Sequence, residues 1–91
     1  MSAKVKFFAY FRELFGAKER EMPLGTGATV KEVLAILCDT PERRSEIYDG
    51  QALKAHVVIM KNGAGIHSFQ GLATPVGDGD ILSIFPLMGG G

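Results

Sequence analysis

The stretch that most constrains this chain is "GTGATVKEVLAILCD" (Gly25–Asp39), which reads as one short amphipathic helix. Thr29 and Glu32 fit the S/T-x-x-E capping box, in which each side chain satisfies a backbone N–H of the first turn. Val30, Val33, Leu34 and Leu37 then fall at i, i+3, i+4 and i+7, a single apolar stripe. Asp39-Thr40-Pro41 ends the helix, because proline disfavours helical geometry in the residue before it. A one-striped helix must lay that stripe on an apolar surface made elsewhere. "PERRSEIYDG" predicts only a short second helix, so strands have to supply that surface.

They are present on both sides. "KVKFFAY" (Lys4–Tyr10) alternates, with Val5, Phe7 and Ala9 on one face. "FREL" (Phe11–Leu14) breaks the alternation and Gly16 marks a turn. "EREMPL" (Glu19–Leu24) puts Met22 and Leu24 on one parity and would pair with the first strand as a hairpin, with Pro23 setting it at an edge or ending it. After the helix, "HVVIMKNG" is a strand running into Asn62-Gly63, a favoured hairpin turn. An irregular stretch with Gly71, Pro75 and Gly77 leads through "GDGD" to the final strand, "ILSIFP" (Ile81–Pro86).

Strand, strand, helix, strand, strand predicts an α+β layer: a mixed sheet with one main helix packed on one face. A helical crossover between the halves favours first and last strands side by side and parallel. The face opposite the helix should be polar if it meets only water. Lys4 and Lys6 obey that. The same parity, however, adds Phe8 and Tyr10, and the last strand adds Ile81, Ser83 and Phe85. Such a patch marks a partner surface, unless a loop or the second helix covers it.

Composition narrows the partners. Ten basic and ten acidic residues cancel, with no basic run, which argues against nucleic acid or an anionic membrane. No apolar run approaches the roughly 20 residues of a membrane span, and the start lacks a signal-peptide core. The single cysteine fits a reducing compartment, so a cytoplasmic location is expected. Cys38 continues the apolar stripe and reads as a buried structural thiol. His56 and His67 lack the spacing of a metal site, Arg12-Glu13 shapes the first turn, and Asp78 and Asp80 are turn residues.

The end, "IFPLMGGG", divides the chain into a domain (1–86) and a flexible glycine tail (87–91). Extended, Met88 to Gly91 reach about 14 Å, and without Cβ atoms Gly89, Gly90 and Gly91 suit a narrow channel. Ordering the three glycines costs about 3–6 kcal/mol. Two or three aromatic anchors, at about 1.5–3 kcal/mol each, could offset it. Patch and tail therefore make sense together, with Phe85 at the root of the tail. A carboxylate must be activated before it can serve as an acyl donor. The chain holds no phosphate-binding loop to do so, which predicts a carrier and substrate rather than a catalyst.

"FFAYFREL", "GATVKEVLAIL", "KNG", "LATPVGDGDILSIFP" and the terminal "GG" resemble the molybdopterin synthase small subunit (MoaD-like) proteins, nearly from end to end. The resemblance implies a β-grasp, ubiquitin-like sulfur carrier. Gly91 would be adenylated by a MoeB-like adenylyltransferase using ATP and converted to a thiocarboxylate, with no tightly bound cofactor or metal. A MoaE-like large subunit would then use the sulfur to build molybdopterin, for a molybdenum or tungsten cofactor. The family's docking aromatics fall on Phe8 and Phe85 and its double glycine on Gly90 and Gly91. With them go Tyr10, Ile81 and Pro86 as partner contacts, and Leu87, Met88 and Gly89 as the threading tail.

The family's usual tail resembles P-P-V-S-G-G, whereas here Gly89 takes the place of a small polar residue. A triple-glycine end also suits ThiS-type carriers for thiamin thiazole, although those are shorter and lack the "FFAYFREL" start. A ubiquitin-like modifier forming isopeptide bonds through Gly91 would need the same activation with an amine acceptor. A passive β-grasp module would not need Gly90 and Gly91 at all.

Overall fold

The computed structural model describes residues 1–87. Its elements in chain order are β1 (Ser2–Phe7), α1 (Phe11–Phe15), β2 (Glu19–Pro23), α2 (Val30–Leu37) and α3 (Pro41–Ile47). They continue as β3 (Tyr48–Asp49), β4 (Ala52–Leu53), β5 (Val57–Lys61), β6 (Ala64–Gly65) and β7 (Ile81–Pro86). Five strands form one mixed sheet in the order β2-β1-β7-β5-β6, and β3 and β4 form a small separate hairpin. The expected parallel pairing of first and last strands is the centre of the sheet, with Val5 opposite Leu82 and Phe7 opposite Ile84. β2 pairs antiparallel with β1 as an edge, and β5 antiparallel with β7.

α2 matches its sequence signal. Thr29 Oγ1 accepts the Glu32 N–H at 3.4 Å, the Thr29 half of the expected capping box without a return bond from the Glu32 carboxylate, and all four stripe residues are buried. They pack against Ala3, Val5, Phe7, Met22, Ile59, Leu82 and Ile84 to form the core. The helix is held at its start by Thr74, whose carbonyl accepts the Val30 N–H at 3.0 Å. Thr74 is fully buried, but its Oγ1 accepts the Gln70 N–H at 3.1 Å, so no polar atom is stranded there. The second helix exists as α3, with Pro41 in its first turn and Thr40 Oγ1 accepting the Arg43 N–H. Asn62 and Gly63 both take positive φ, 51° and 87°, and turn β5 into β6 as a two-residue hairpin.

Two expectations are corrected. The first strand stops at Phe7 rather than continuing to Tyr10, and Ala9 is exposed rather than in the core. Ala9 adopts a left-handed φ of 54°, which breaks the pleat and starts α1. "FREL" is therefore a helical turn, not a mere interruption. It buries Phe11 and Phe15, with Phe15 stacked on Phe7 at 4.8 Å. Leu24 is only half-buried at the rim of the core. Among the described residues, no helix is long and apolar enough to cross a membrane.

Candidate functional site

Because β1 and β7 run parallel, their C-terminal ends coincide. The Phe8 N–H donates to the Ile84 carbonyl at 3.1 Å, which puts Phe8 beside Phe85 on the face away from α2. The two rings meet edge to face, with centroids 6.1 Å apart. Arg12 braces them from α1: its Nε donates to the Phe7 carbonyl at 3.0 Å, and its guanidinium lies 5.6 Å from the Phe8 ring centroid. Arg12 thus shapes the first turn, as expected, while also bordering the aromatic pair.

The pair forms part of an open depression of about 500 Å³, lined by Phe8, Ala9, Met60, Ser83, Phe85 and Pro86. Its apolar lining comes from β7, β5 and the residues just after β1. Across β1 and β2 the same face carries Lys4 opposite Glu21 and Lys6 opposite Glu19, with Lys4 Nζ 3.2 Å from Glu19 Oε2. Among the described residues, neither a loop nor α3 closes over the aromatics: Phe8 and Tyr10 are 37% and 39% exposed.

The remaining expected contacts divide. Ile81 shares the parity of Phe85 and is exposed, but it sits opposite Lys4 at the other end of β7, beside Asp78 and Asp80. Four residues of extended chain, about 13 Å, separate it from Phe85, so it is not part of the depression. Pro86 is largely buried and forms only a wall. Tyr10 is not on a strand; it caps α1 and hydrogen-bonds through Oη to His56 Nε2 at 2.8 Å. Leu87 is 60% exposed, and its N–H donates to the His56 carbonyl at 2.6 Å, one step beyond the β5–β7 ladder. Met88, Gly89, Gly90 and Gly91 lie outside the described residues.

Met60 and His56 are the contributions that the strand reading did not assign. The signal was present: in "HVVIM", Val57 and Ile59 point to the core, so His56, Val58 and Met60 must point outward. What alternation could not say is that β5 lies next to β7. Cys38 stands apart from this face. It is buried at the end of α2, where burial pushes its thiol up to about 11 despite the opposing charge of Arg44.

The model of the ThiS family matches residues 5–91. Small archaeal modifier protein 3 of Haloferax volcanii is 35% identical over 92 residues, covering all of both chains. The crystal structure of small archaeal modifier protein 1 from the same organism superposes with a TM-score of 0.80 at 26% identity, again over all of both chains. A Pyrococcus furiosus protein described as a candidate molybdopterin converting factor, subunit 1, superposes with a TM-score of 0.73. It is 32% identical, with 94% of this chain and 97% of that one covered. The match over residues 5–91, on a sheet and helix arranged as in these structures, means that the chain belongs to the ThiS family of MoaD-like, ubiquitin-like β-grasp proteins.

Proposed function

We propose that this protein is a sulfur carrier that works through the carboxylate of Gly91, with partner enzymes supplying all catalysis. The observation that carries this reading is the convergence at one end of β7: Phe85 lies in an exposed apolar depression, and Leu87, two residues on, leaves the sheet toward a glycine-ended tail. The depression gives a partner something to grip, and the tail gives it something to act on. In a MoeB-like adenylyltransferase the Gly91 carboxylate oxygen attacks the α-phosphorus of ATP and pyrophosphate departs. Hydrosulfide from a sulfur donor then attacks the acyl carbon, AMP departs, and a thiocarboxylate remains. Docked by Phe8 and Phe85 on a MoaE-like subunit, the chain would deliver that sulfur to molybdopterin synthesis.

A second reading has its own support in the end-to-end likeness to small archaeal modifier protein 3. Activation is then the same, but a lysine amine takes the acyl group and an isopeptide bond results. Intact mass after incubation with the cognate adenylyltransferase, ATP and a sulfur donor tests the shared step. Replacement of one oxygen by sulfur at Gly91, absent when Gly91 is deleted, supports the carrier chemistry. An unchanged mass with a demonstrably active enzyme rejects it. Glycine remnants of this C-terminus on cellular lysines, dependent on Gly91, would favour the modifier.

A further inference from the structure

Three contacts converge where the chain leaves the sheet, and the docking depression explains none of them. The Leu87 N–H donates to the His56 carbonyl at 2.6 Å, so the backbone is still held one residue after β7 ends. The side chain of that same His56 reaches Tyr10, with Nε2 2.8 Å from Oη and the rings 6.5 Å apart at 29°. Tyr10 in turn lies 4.4 Å, centroid to centroid, from Phe11, which is fully buried. A line of contacts therefore runs from the core through Phe11, Tyr10 and His56 to Leu87. His56 sits just before β5, in a short loop whose main brace is the Val57 N–H on the Lys54 carbonyl at 3.0 Å. That bond and the Val57–Pro86 pairing hold the peptide unit that carries the His56 carbonyl, and the side-chain bond to Tyr10, 46 residues away, ties the same residue to α1 as well.

We propose that Tyr10 and His56 form a latch that fixes the point and direction in which the last four residues leave the sheet, and that both are positioning residues for the activation of Gly91. The inference rests on the carrier reading above and adds to it how the tail is aimed. Neither side chain touches the reacting atoms. With the latch closed, Leu87 is already ordered when a partner captures the tail. With it open, Leu87 must be ordered as well, at a cost that lowers productive capture by about 5- to 30-fold for one residue of backbone freedom.

Tyr10→Phe keeps the ring on Phe11 and removes only Oη, so it opens the latch while retaining the packing. His56→Ala opens it from the other side, and His56→Gln restores a side-chain donor that can reach Tyr10. Two readouts are taken on each full-length variant, with the thermal midpoint as a check on folding. The first is the ¹⁵N heteronuclear NOE of the Leu87 amide in the free protein. The second is ATP–pyrophosphate exchange by the cognate adenylyltransferase, with the carrier as the varied substrate. Tyr10→Phe and His56→Ala are expected to lower the Leu87 NOE and raise KM about 5- to 30-fold while kcat stays within about twofold. His56→Gln is expected to recover part of both. A raised KM with an unchanged Leu87 NOE would make Tyr10 a direct partner contact and overturn the latch, as would a lowered NOE with unchanged KM. Failure of the wild-type protein to support exchange would reject the carrier reading instead. In that case an unchanged NOE in the variants would overturn the latch as well, whereas a lowered NOE would uphold its hold on Leu87.

Discussion

Cys38 closes α2 with its backbone N–H on the Leu34 carbonyl, 2.8 Å away, and buries its thiol against the core. Desolvation disfavours the thiolate, and the nearby Arg44 only partly offsets it, leaving the pKa at about 11 against an ordinary 9.0. Only the thiolate is an effective nucleophile. Alkylation by iodoacetamide at pH 8 should therefore run about 100-fold slower in the folded protein than in the urea-unfolded chain, followed by mass spectrometry. A rate near the unfolded value would show that the thiol is accessible. Phe85 poses the opposite case, a half-buried aromatic on a face left open. Its truncation in Phe85→Ala should cost the fold little beyond the lost edge-to-face contact with Phe8, about 0.5–1.5 kcal/mol. Binding to the cognate adenylyltransferase or large subunit, measured by calorimetry, should weaken by at least about 30-fold if Phe85 is an anchor of the interface.

At the scale of the element, the caps and turns carry the local signals. The Thr29 cap on α2 is long, at 3.4 Å, so Thr29→Ala should cost about 0.5–1 kcal/mol, the lower part of the usual range. Urea unfolding followed by circular dichroism measures it, and a loss above about 2 kcal/mol would mean that Thr29 does more than cap. The β5–β6 turn is stricter. Gly63 sits at φ 87° with open space where a Cβ would go, so strain in Gly63→Ala is backbone strain alone. It should cost about 1–2 kcal/mol by the same measurement. Ala9 accepts comparable left-handed geometry, and in return β1 ends where Phe8 meets Phe85.

The whole molecule is tied together at Asp80. Its carboxylate accepts the Gly77 N–H at 2.8 Å and the Asn62 Nδ2–H at 3.0 Å, and Lys61 Nζ lies 3.6 Å away. Asn62 Oδ1 accepts the Ile81 N–H at 2.9 Å, and Lys61 Nζ donates to the Pro75 carbonyl at 2.8 Å. The β5–β6 turn, the long excursion after it and the start of β7 are thus joined through one ionised group. The Gly77 and then the Asn62 hydrogen bonds hold the Asp80 pKa below its ordinary 3.8. A depressed carboxylate contributes stability above that ordinary value and loses it as pH falls through the folded pKa. Urea midpoints should therefore drop as pH is taken below about 4. Asp80→Asn should be less stable at pH 7 and show a shallower acid slope. An identical slope in the variant would assign the acid sensitivity to other carboxylates.

Much of this was legible in the residues. Local signals determined α2 with its stripe and cap, the Asn62-Gly63 hairpin, and the parity that turned Phe8 and Phe85 outward, because caps, turns and alternation act between residues a few positions apart. The family resemblance read from "FFAYFREL" through the terminal glycines rests on the same one-dimensional order. Tertiary structure alone decided which strands are neighbours. Alternation says which way a side chain faces but not what stands beside it, so Met60 entered the depression only once β5 was found next to β7. Ile81 left it because the register sets it opposite Lys4, at the far end of the strand. The left-handed turn at Ala9 and the bond between Tyr10 and His56 belong to this second class as well. Each depends on contacts between segments tens of residues apart, whose geometry exists only when the chain has closed on itself.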